Sequence, residues 1–142
     1  MYQVKIVETK QEHDDAFAIR QKVFVEEQGI PLHLECDAED ATATHFIMYD
    51  NVEPVGAARL RSIDGTTAKI ERVCILQSQR GKKLGALMMK EMEKHAISIN
   101  KEILKLHAQS YAIPFYEKLG FTVTSPEFMD AGIPHRAMEK KM

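Results

Sequence analysis

The sequence predicts one domain of mixed α and β structure that spans residues 1–142. Three observations support this class. First, a chain of 142 residues with 44% apolar and 28% charged side chains has the composition of one folded core, and it contains no repeats or linkers. Second, strand-like runs in the first half follow one another across short turns, which is typical of an antiparallel meander. Third, amphipathic helical patterns flank these runs and are expected to cover the sheet.

The N-terminal part is predicted to be a strand followed by a helix. Residues 2–8 alternate polar and apolar side chains, as a half-buried strand does. Thr9 and Glu12 have the spacing of a capping box, so the helix is expected to begin directly after Thr9. Its buried face is predicted to contain Ala16, Phe17, Ile19, Val23 and Phe24. The Gln-Gly-Ile-Pro sequence at 28–31 ends the helix, and residues 32–43 are acidic and predicted to be irregular.

Three further strands are predicted in sequence. Two strand-like runs cover residues 44–50 and 54–63, and a third ends at Ile75. Residues 50–53 and 62–66 contain the Asp, Asn and Gly residues that favour turns. Consecutive strands joined by such short connections are expected to pair antiparallel.

The second half is predicted to alternate helices and short strands. A segment rich in Gly, Lys and Gln at 77–85 opens a helix. The apolar face of this helix contains Leu84, Leu87, Met88, Met92, Ala96 and Ile99. Methionines at helical spacing are interpreted as core residues. A buried strand is then predicted over 103–108, a helix closed by glycine over 111–119, and strands over 121–123 and 135–140.

Charge and composition narrow the classes of partner. The 19 basic and 21 acidic side chains give a net charge of -2, so a nucleic-acid partner is not expected. No run approaches the roughly 20 apolar residues of a membrane-spanning helix, and the N-terminal residues lack the apolar core of a signal peptide. A cytoplasmic protein without a membrane partner is therefore predicted. Cys36 and Cys74 lack CxxC spacing, which argues against a disulfide and a zinc site.

A cationic turn lies between a predicted strand and a predicted helix. Residues 79–85 have the sequence Gln-Arg-Gly-Lys-Lys-Leu-Gly, and the chain from Arg72 to Lys90 contains Lys and Arg but no Asp or Glu. Unpaired N–H groups at a helix start favour an anion, so one interpretation is a site for a phosphate-bearing ligand. The other is a tight turn solvated by lysines. The G-x-x-x-x-G-K-[ST] and G-x-G-x-x-G patterns are absent, which disfavours nucleotide hydrolysis and a dinucleotide fold.

Two segments resemble the GNAT superfamily of acyl-coenzyme A-dependent N-acyltransferases. Ile70–Ile75 followed by Arg80–Gly85 is similar to the family's strand and its Q/R-x-x-G-x-G/A pyrophosphate loop. Ala112–Phe121 is similar to its A-x-x-x-Y-x-x-x-G-F segment. Lys83 occupies the position of the middle glycine, so this match requires Lys83 to keep an ordinary φ below zero. Gln109 stands where many members have an Asn. The resemblance implies a mixed, mostly antiparallel central sheet flanked by helices.

A narrower likeness concerns residues 20–29 and 132–138, together with an acidic group and a histidine between them. The group contains Glu35, Cys36, Asp37, Asp40 and His45. These segments resemble a small bacterial GNAT subgroup whose substrates are mostly undefined. The Arg-x-x-Val-Phe opening is also similar to acyl-homoserine-lactone synthases, which share the fold. Those proteins are longer and contain tryptophan, whereas this chain has none, so they remain a remote alternative.

The resemblance implies acetyl-coenzyme A as the acyl donor, with no metal. The backbone of Val73, Cys74 and Ile75 is expected to line the thioester arm, where an exposed N–H would polarise the acyl carbonyl. The other cofactor-binding residues are expected to be Arg80, Gly81, Lys82, Lys83, Leu84, Gly85 and Gln109. The acceptor side is expected to contain Phe24, Glu27, Gln28 and His135, with His45 as a further candidate.

Acetyl transfer to an amine requires that the amine lose a proton and that the departing thiolate gain one. Glu71, beside the cofactor strand, is the candidate base; its alternative role is an ion pair with an Arg or Lys. By resemblance Tyr116 is the candidate acid, and its alternative role is a core tyrosine. Cys74 lies between Val and Ile without a His motif beside it, so it is expected to be buried and unreactive. Direct attack through a ternary complex is therefore favoured over an acyl-cysteine.

The charge of the first half suggests a function for the acceptor side. No Lys or Arg occurs between Val23 and Ala58, a stretch that includes Glu26, Glu27, Glu35, Asp37, Glu39 and Asp40. This stretch would attract a cationic amine, or it is a solvated acidic loop. We therefore predict an enzyme that transfers an acetyl group to a primary amine of a small molecule or peptide. The alternatives are a non-catalytic coenzyme A-binding regulatory module and a phosphate-binding interaction domain. A homodimer is left open.

Overall fold

The computed structural model describes residues 1–142 and contains one sheet of eight strands with four α-helices. The strands are β1 Tyr2–Ile6, β2 Thr44–Asp50, β3 Glu53–Ser62, β4 Thr67–Ile75, β5 Ile103–Gln109, β6 Thr122–Val123, β7 Phe128–Asp130 and β8 Ile133–Lys141. The helices are α1 Lys10–Arg20, α2 Leu32–Glu35, α3 Leu84–Ser98 and α4 Ile113–Lys118.

The strands follow the order β1-β2-β3-β4-β5-β8-β6 across the sheet, and β7 pairs with β8. Every pair is antiparallel except β4 and β5, which run parallel. The parallel pair arises because the chain crosses over the sheet through α3 before it returns as β5. The predicted fold class, a mixed and mostly antiparallel central sheet flanked by helices, is confirmed.

The start of α1 follows the predicted capping box. The Thr9 hydroxyl accepts a hydrogen bond from the Glu12 N–H at 3.1 Å, and the Glu12 carboxylate accepts one from the Thr9 N–H at 3.1 Å. Beyond Arg20 the helix continues as a wider π-helix over Gln21–Glu27. No helix combines the length and the apolar composition that crossing a bilayer requires.

Four short elements were not predicted by the sequence pattern. Residues predicted to be irregular contain α2 and a 3-10 turn at Ala38–Ala41. The strand β7 lies in a stretch that was not assigned. The helix α4 begins at Ile113 because Ser110–Ala112 form a 3-10 turn. Elements of three or four residues are too short for a period to be recognised, and they depend on partners distant in the chain.

The larger apolar layer lies between the sheet and α3. Met88 and Met92 are fully buried there, in one cluster with Phe46 and Leu104 of the sheet. The interpretation of these methionines as core residues is confirmed. Ile99, which was predicted on the same face, lies just past the helix and is exposed.

The opposite face of the sheet is only partly covered. Ala16 and Ile19 of α1 pack against Ile47 of β2 and Cys74 of β4 in a smaller cluster. The same face of β5 carries more polar side chains, because Leu104, Leu106 and Ala108 point toward α3. The helix α1 therefore covers the first strands and leaves the region near β5 open for a site.

The strands β4 and β5 separate halfway along their length. Their ladder ends at Ile70 and Leu106. Just beyond, β4 has one more residue than β3 between successive pairs, so Arg72 and Val73 form a β-bulge, and Arg72 has a left-handed φ of 58°. A bulge bends its strand and leaves a backbone group unpaired. It accounts for the divergence of β4 from β5, which opens a cleft in the sheet.

Candidate active site

A large cleft lies where β4 and β5 diverge and has a volume of 1010 Å³. This is at the upper end of the roughly 300–1,000 Å³ of small-molecule sites. Its walls come from β4, β5, the π-helical end of α1, the loop before α3, and α4. The predicted site residues that line it are Phe24, Gln28, Glu71, Val73, Cys74, Ile75, Arg80, Gly81, Lys83, Leu84, Gly85, Gln109, Tyr116 and His135. Lys82 and Glu27 do not line it.

The loop before α3 has two residues in left-handed conformation. Gly81 has φ 82° and Lys83 has φ 62°. The expectation that Lys83 keeps φ below zero was therefore wrong. Lys83 directly precedes the first turn of α3 and has the left-handed backbone that glycine adopts most easily. For a residue with a side chain this conformation costs about 1 kcal/mol of conformational free energy. A Cβ on Gly85 would lie 3.2 Å from the ring of Phe115, so any side chain there would push against the ring that packs α4 on α3.

The predicted cationic island, Arg72 to Lys90, is partly neutralised. Arg80 forms a bidentate ion pair with Glu27, with N–O distances of 2.6 and 2.8 Å. Arg72 donates to the backbone oxygen of Glu35 at 3.2 Å and to the Asp37 carboxylate at 3.2 Å. Of the arginines and lysines in this segment, the lysines make no ion pair and supply its free positive charge.

The predicted acidic stretch is also neutralised, by arginines from other elements. Arg20 is fully buried and donates to Glu35 and to Asp40, each at 2.8 Å. Arg59, also buried, donates to Asp37 and Asp40, each at 2.7 Å. Burial alone would raise the pKa of Asp40, but hydrogen bonds from the two arginines outweigh it and hold the pKa at about 2. Glu35, Asp37 and Asp40 therefore belong to a structural ion-pair network, whereas Glu26 and Glu39 of the same stretch stay exposed to solvent.

Glu71 takes the alternative role of an ion pair. Its carboxylate accepts from Arg59 at 2.9 Å and from Arg61 at 2.7 Å, and Lys69 lies 3.1 Å away. Burial would raise its pKa, but the hydrogen bond from Arg61 and the charges of Arg59 and Lys69 lower it to about 2. A carboxylate this strongly stabilised as an anion is a poor acceptor for an amine proton. The geometry therefore disfavours Glu71 as the base.

Tyr116 faces the cleft from α4. Its ring packs at right angles to Phe115 and Phe121, with centroid distances of 5.0 and 6.0 Å. Burial raises the pKa of Tyr116 to about 12. The phenol is therefore protonated at neutral pH, which is the state required of a proton donor.

Cys74 is buried and its thiol lies 3.6 Å from the Ala57 oxygen. Burial raises the pKa of Cys74 to about 12. Since the thiolate is the nucleophilic form, this thiol is inert at neutral pH. The prediction that Cys74 is buried and unreactive agrees with this environment.

The acceptor side brings together residues from both ends of the chain. The amide groups of Gln28 and Gln109 form a hydrogen bond of 2.9 Å across the cleft. Nδ1 of His135 donates to the Ile133 oxygen at 2.7 Å, so the backbone holds this nitrogen. His45 was expected on this side but lies outside the cleft, where its Nε2 donates to the Asp40 oxygen at 2.8 Å.

His107 is a cleft residue that sequence reasoning missed. It lies on β5, half-buried, and its ring packs edge-on against Phe128 with a centroid distance of 5.0 Å. The alternation of residues 103–109 was the signal that could have found it, because it puts His107 on the same face as Gln109. No three or more His, Cys, Asp or Glu side chains converge as a metal site would require.

A family model and a sequence relative both match almost the whole chain. The model of the acetyltransferase (GNAT) domain family matches residues 8–142. The uncharacterized N-acetyltransferase YjcF of Bacillus subtilis is 43% identical over 136 residues, which cover 95% of this chain and 96% of that protein.

Solved structures show the same fold. A crystal structure of a Lactobacillus plantarum protein is 27% identical with a TM-score of 0.93, covering 99% of this chain and 97% of that one. A GNAT family acetyltransferase from Elizabethkingia anophelis, solved with acetyl-CoA bound, is 13% identical with a TM-score of 0.73, covering 99% and 98%. The family match over almost the whole length shows that this chain belongs to the GNAT acetyltransferase family.

Proposed function

We propose that the protein transfers an acetyl group from acetyl-coenzyme A to a primary amine of a small molecule or peptide, by direct attack within a ternary complex. One observation carries this proposal. The cleft between β4 and β5 joins the loop that begins α3 to a protonated tyrosine on α4. Along this cleft lie groups that complement the three parts of the donor: its diphosphate, its thioester and the thiolate that leaves.

The loop before α3 fits the diphosphate of the donor. A Cβ on Gly81 would meet no atom within 4 Å, so its backbone borders open space. No side chain caps α3, and its first N–H groups are therefore available to phosphate oxygens. Lys82 and Lys83 add positive charge, and Arg80 adds more when a phosphate replaces Glu27. The acetyl-CoA bound to the Elizabethkingia anophelis protein supports this choice of donor.

Different groups around the thioester polarise its carbonyl and protonate the thiolate that leaves. The backbone of the bulge at Val73 presents an N–H to the acyl carbonyl, as the resemblance to the family implies. Tyr116 gives its proton to the departing thiolate. Cys74 contributes only its backbone, because its thiol stays protonated. Glu71 is left out of the proton transfer because three cations hold its carboxylate.

Calorimetry with acetyl-coenzyme A, followed by a thiol-release screen over primary amines, tests the proposal. We expect binding that weakens with salt and thiol release with at least one amine. The double variant Arg80→Ala, Lys82→Ala should bind more weakly. The control Lys94→Ala removes an exposed lysine from α3 outside the cleft and should bind as the parent does.

Each negative result has a distinct meaning. No binding at millimolar acetyl-coenzyme A overturns both the enzyme and the coenzyme A-binding module. Binding without turnover over a broad panel of amines favours the non-catalytic regulatory module. Equal affinity of the double variant and the control places the phosphates elsewhere.

A further inference from the structure

The proposed acetyl transfer lacks a base once Glu71 is assigned to its ion pairs. An amine that attacks a thioester must lose a proton as the new C–N bond forms. The cleft therefore needs a group that is unprotonated at neutral pH and has a free lone pair near the point of attack.

The strand register places His107 at the vertex of the cleft. The pairing of β4 with β5 ends at Ile70 and Leu106, so Glu71 and His107 are the first residues beyond it, at the vertex of the cleft. Glu71 is drawn toward β3 by Arg59. His107 is left facing the cleft from the other side of the vertex.

His107 differs from the other histidine of the cleft in its bonding. Nδ1 of His135 is held by a backbone oxygen. Neither ring nitrogen of His107 makes a hydrogen bond within the protein, and its ring is positioned by edge-on packing against Phe128. Across the ladder it faces Ala137 of β8, whose small side chain leaves room beside the ring.

The geometry points to His107 as the general base that takes the proton from the acceptor nitrogen. This inference rests on the proposed function. The nitrogen lone pair forms a bond to the acetyl carbon, and the C–S bond breaks with its electron pair going to sulfur. The proton on nitrogen goes to His107, and the sulfur takes a proton from Tyr116. Return of the proton from His107 to Tyr116 through solvent restores both groups, and the products are an amide and a free thiol.

The charges around His107 keep it unprotonated. Burial lowers its pKa below 6.5, and Lys69 of β4 and Lys105 of β5 lower it further. Asp130 at the end of β7 and Glu71 act in the opposite direction but do not outweigh these effects. On β8, Glu139 faces Lys105 across the ladder, and His135 stacks on Phe128. A neutral imidazole at pH 7 is ready to accept a proton.

A weak base also limits the range of amines that can serve as the acceptor. An imidazole with a lowered pKa cannot readily deprotonate an alkylammonium ion of pKa near 10, whereas it matches an amine that is already neutral in an appreciable fraction at pH 7. The α-amino group of a peptide or amino-acid derivative, with a pKa of about 8, has this property. The inference therefore favours weakly basic primary amines.

The test compares His107→Asn and His107→Ala with the control His33→Asn, which removes an exposed histidine of α2 outside the cleft lining. Acetyl-coenzyme A and the amine that gives the parent its highest rate in the screen are the substrates. We expect kcat/KM to fall about 100-fold or more in both His107 variants, with melting temperatures close to that of the parent. Added imidazole should restore activity to His107→Ala. Below pH 6.5 kcat/KM should fall more steeply in the parent than in His107→Asn, where only protonation of the amine remains.

An NMR titration of the histidine ring protons gives a readout that needs no turnover. We expect the resonance missing from His107→Asn to titrate below pH 6.5 in the parent. A parent that turns over while His107→Asn keeps its kcat/KM and the same steep fall below pH 6.5 overturns the inference and leaves the proposed function standing. A titration of His107 above pH 7 also overturns it. Absence of turnover in the parent with every amine refutes the proposed function itself.

Discussion

Replacing Glu71 with glutamine separates a structural carboxylate from a catalytic one. In the structure Glu71 is almost buried and shared by Arg59, Arg61 and Lys69. Its pKa falls from 4.5 to about 2. One pKa unit corresponds to about 1.4 kcal/mol, so the cations stabilise the ionised form by about 3 kcal/mol. Glu71→Gln removes the charge while keeping the shape, and it leaves three cations without their shared partner.

The expected result is a large loss of stability with little change in chemistry. A loss of about 3 kcal/mol lowers the melting temperature of a chain of this length by about 10 °C. At a temperature where the variant is folded, kcat should change less than about threefold, since general-base removal would cost roughly 100-fold or more. Glu53→Gln, which removes an exposed carboxylate at the start of β3, is the matched control.

The same ion pairs predict how the difference depends on pH. Because the folded-state pKa of Glu71 lies below its ordinary value, its stabilisation is present above about pH 4.5 and is lost as the pH falls toward 2. Urea midpoints of the parent and Glu71→Gln should therefore converge in acid. A variant that melts like the parent but loses about 100-fold in kcat would refute the structural assignment and restore Glu71 as the base.

Three further changes test other parts of the site. Tyr116→Phe should lower kcat about 100-fold while its affinity for coenzyme A stays within twofold of the parent's. An unchanged rate, measured where the chemical step limits turnover, would remove Tyr116 from the acid role. Glu27→Gln should free Arg80 and tighten coenzyme A binding by up to about fivefold at low salt, by calorimetry; weaker binding would mean that Glu27 positions Arg80 instead. Gly85→Leu should push against Phe115 and cost about 1–3 kcal/mol in urea unfolding, and a melt identical to the parent's would contradict the close packing of α3 and α4.

Local signals in the sequence predicted the fold well. The capping box at Thr9 and Glu12, the turns between strands and the methionine spacing of α3 depend on neighbours within a few residues. Such signals survive in a single sequence because the physical partners are close in the chain. The glycine loop and the tyrosine segment, which carried the family resemblance, also lie in contiguous stretches.

The charges of the site could not be assigned in the same way. The negative charges of Glu35 and Asp40 are balanced by arginines from other elements. Arg20 donates hydrogen bonds to both carboxylates, and Arg59 donates one to Asp40. Charge counted along the chain therefore overstated the free negative charge of this stretch, because three of its carboxylates are held by arginines. The backbone of Lys83 was mispredicted for a related reason, since the docking of α3 decides its φ more than its own preference does.

A crystal structure with acetyl-coenzyme A tests the central claim most directly. We expect the diphosphate to lie against the backbone N–H groups of residues 81–85 and the thioester to lie in the opening between β4 and β5. Its sulfur should lie within hydrogen-bonding distance of the Tyr116 hydroxyl. A donor bound elsewhere on the sheet, or one whose sulfur lies away from both Tyr116 and His107, would contradict the proposed acetyl transfer.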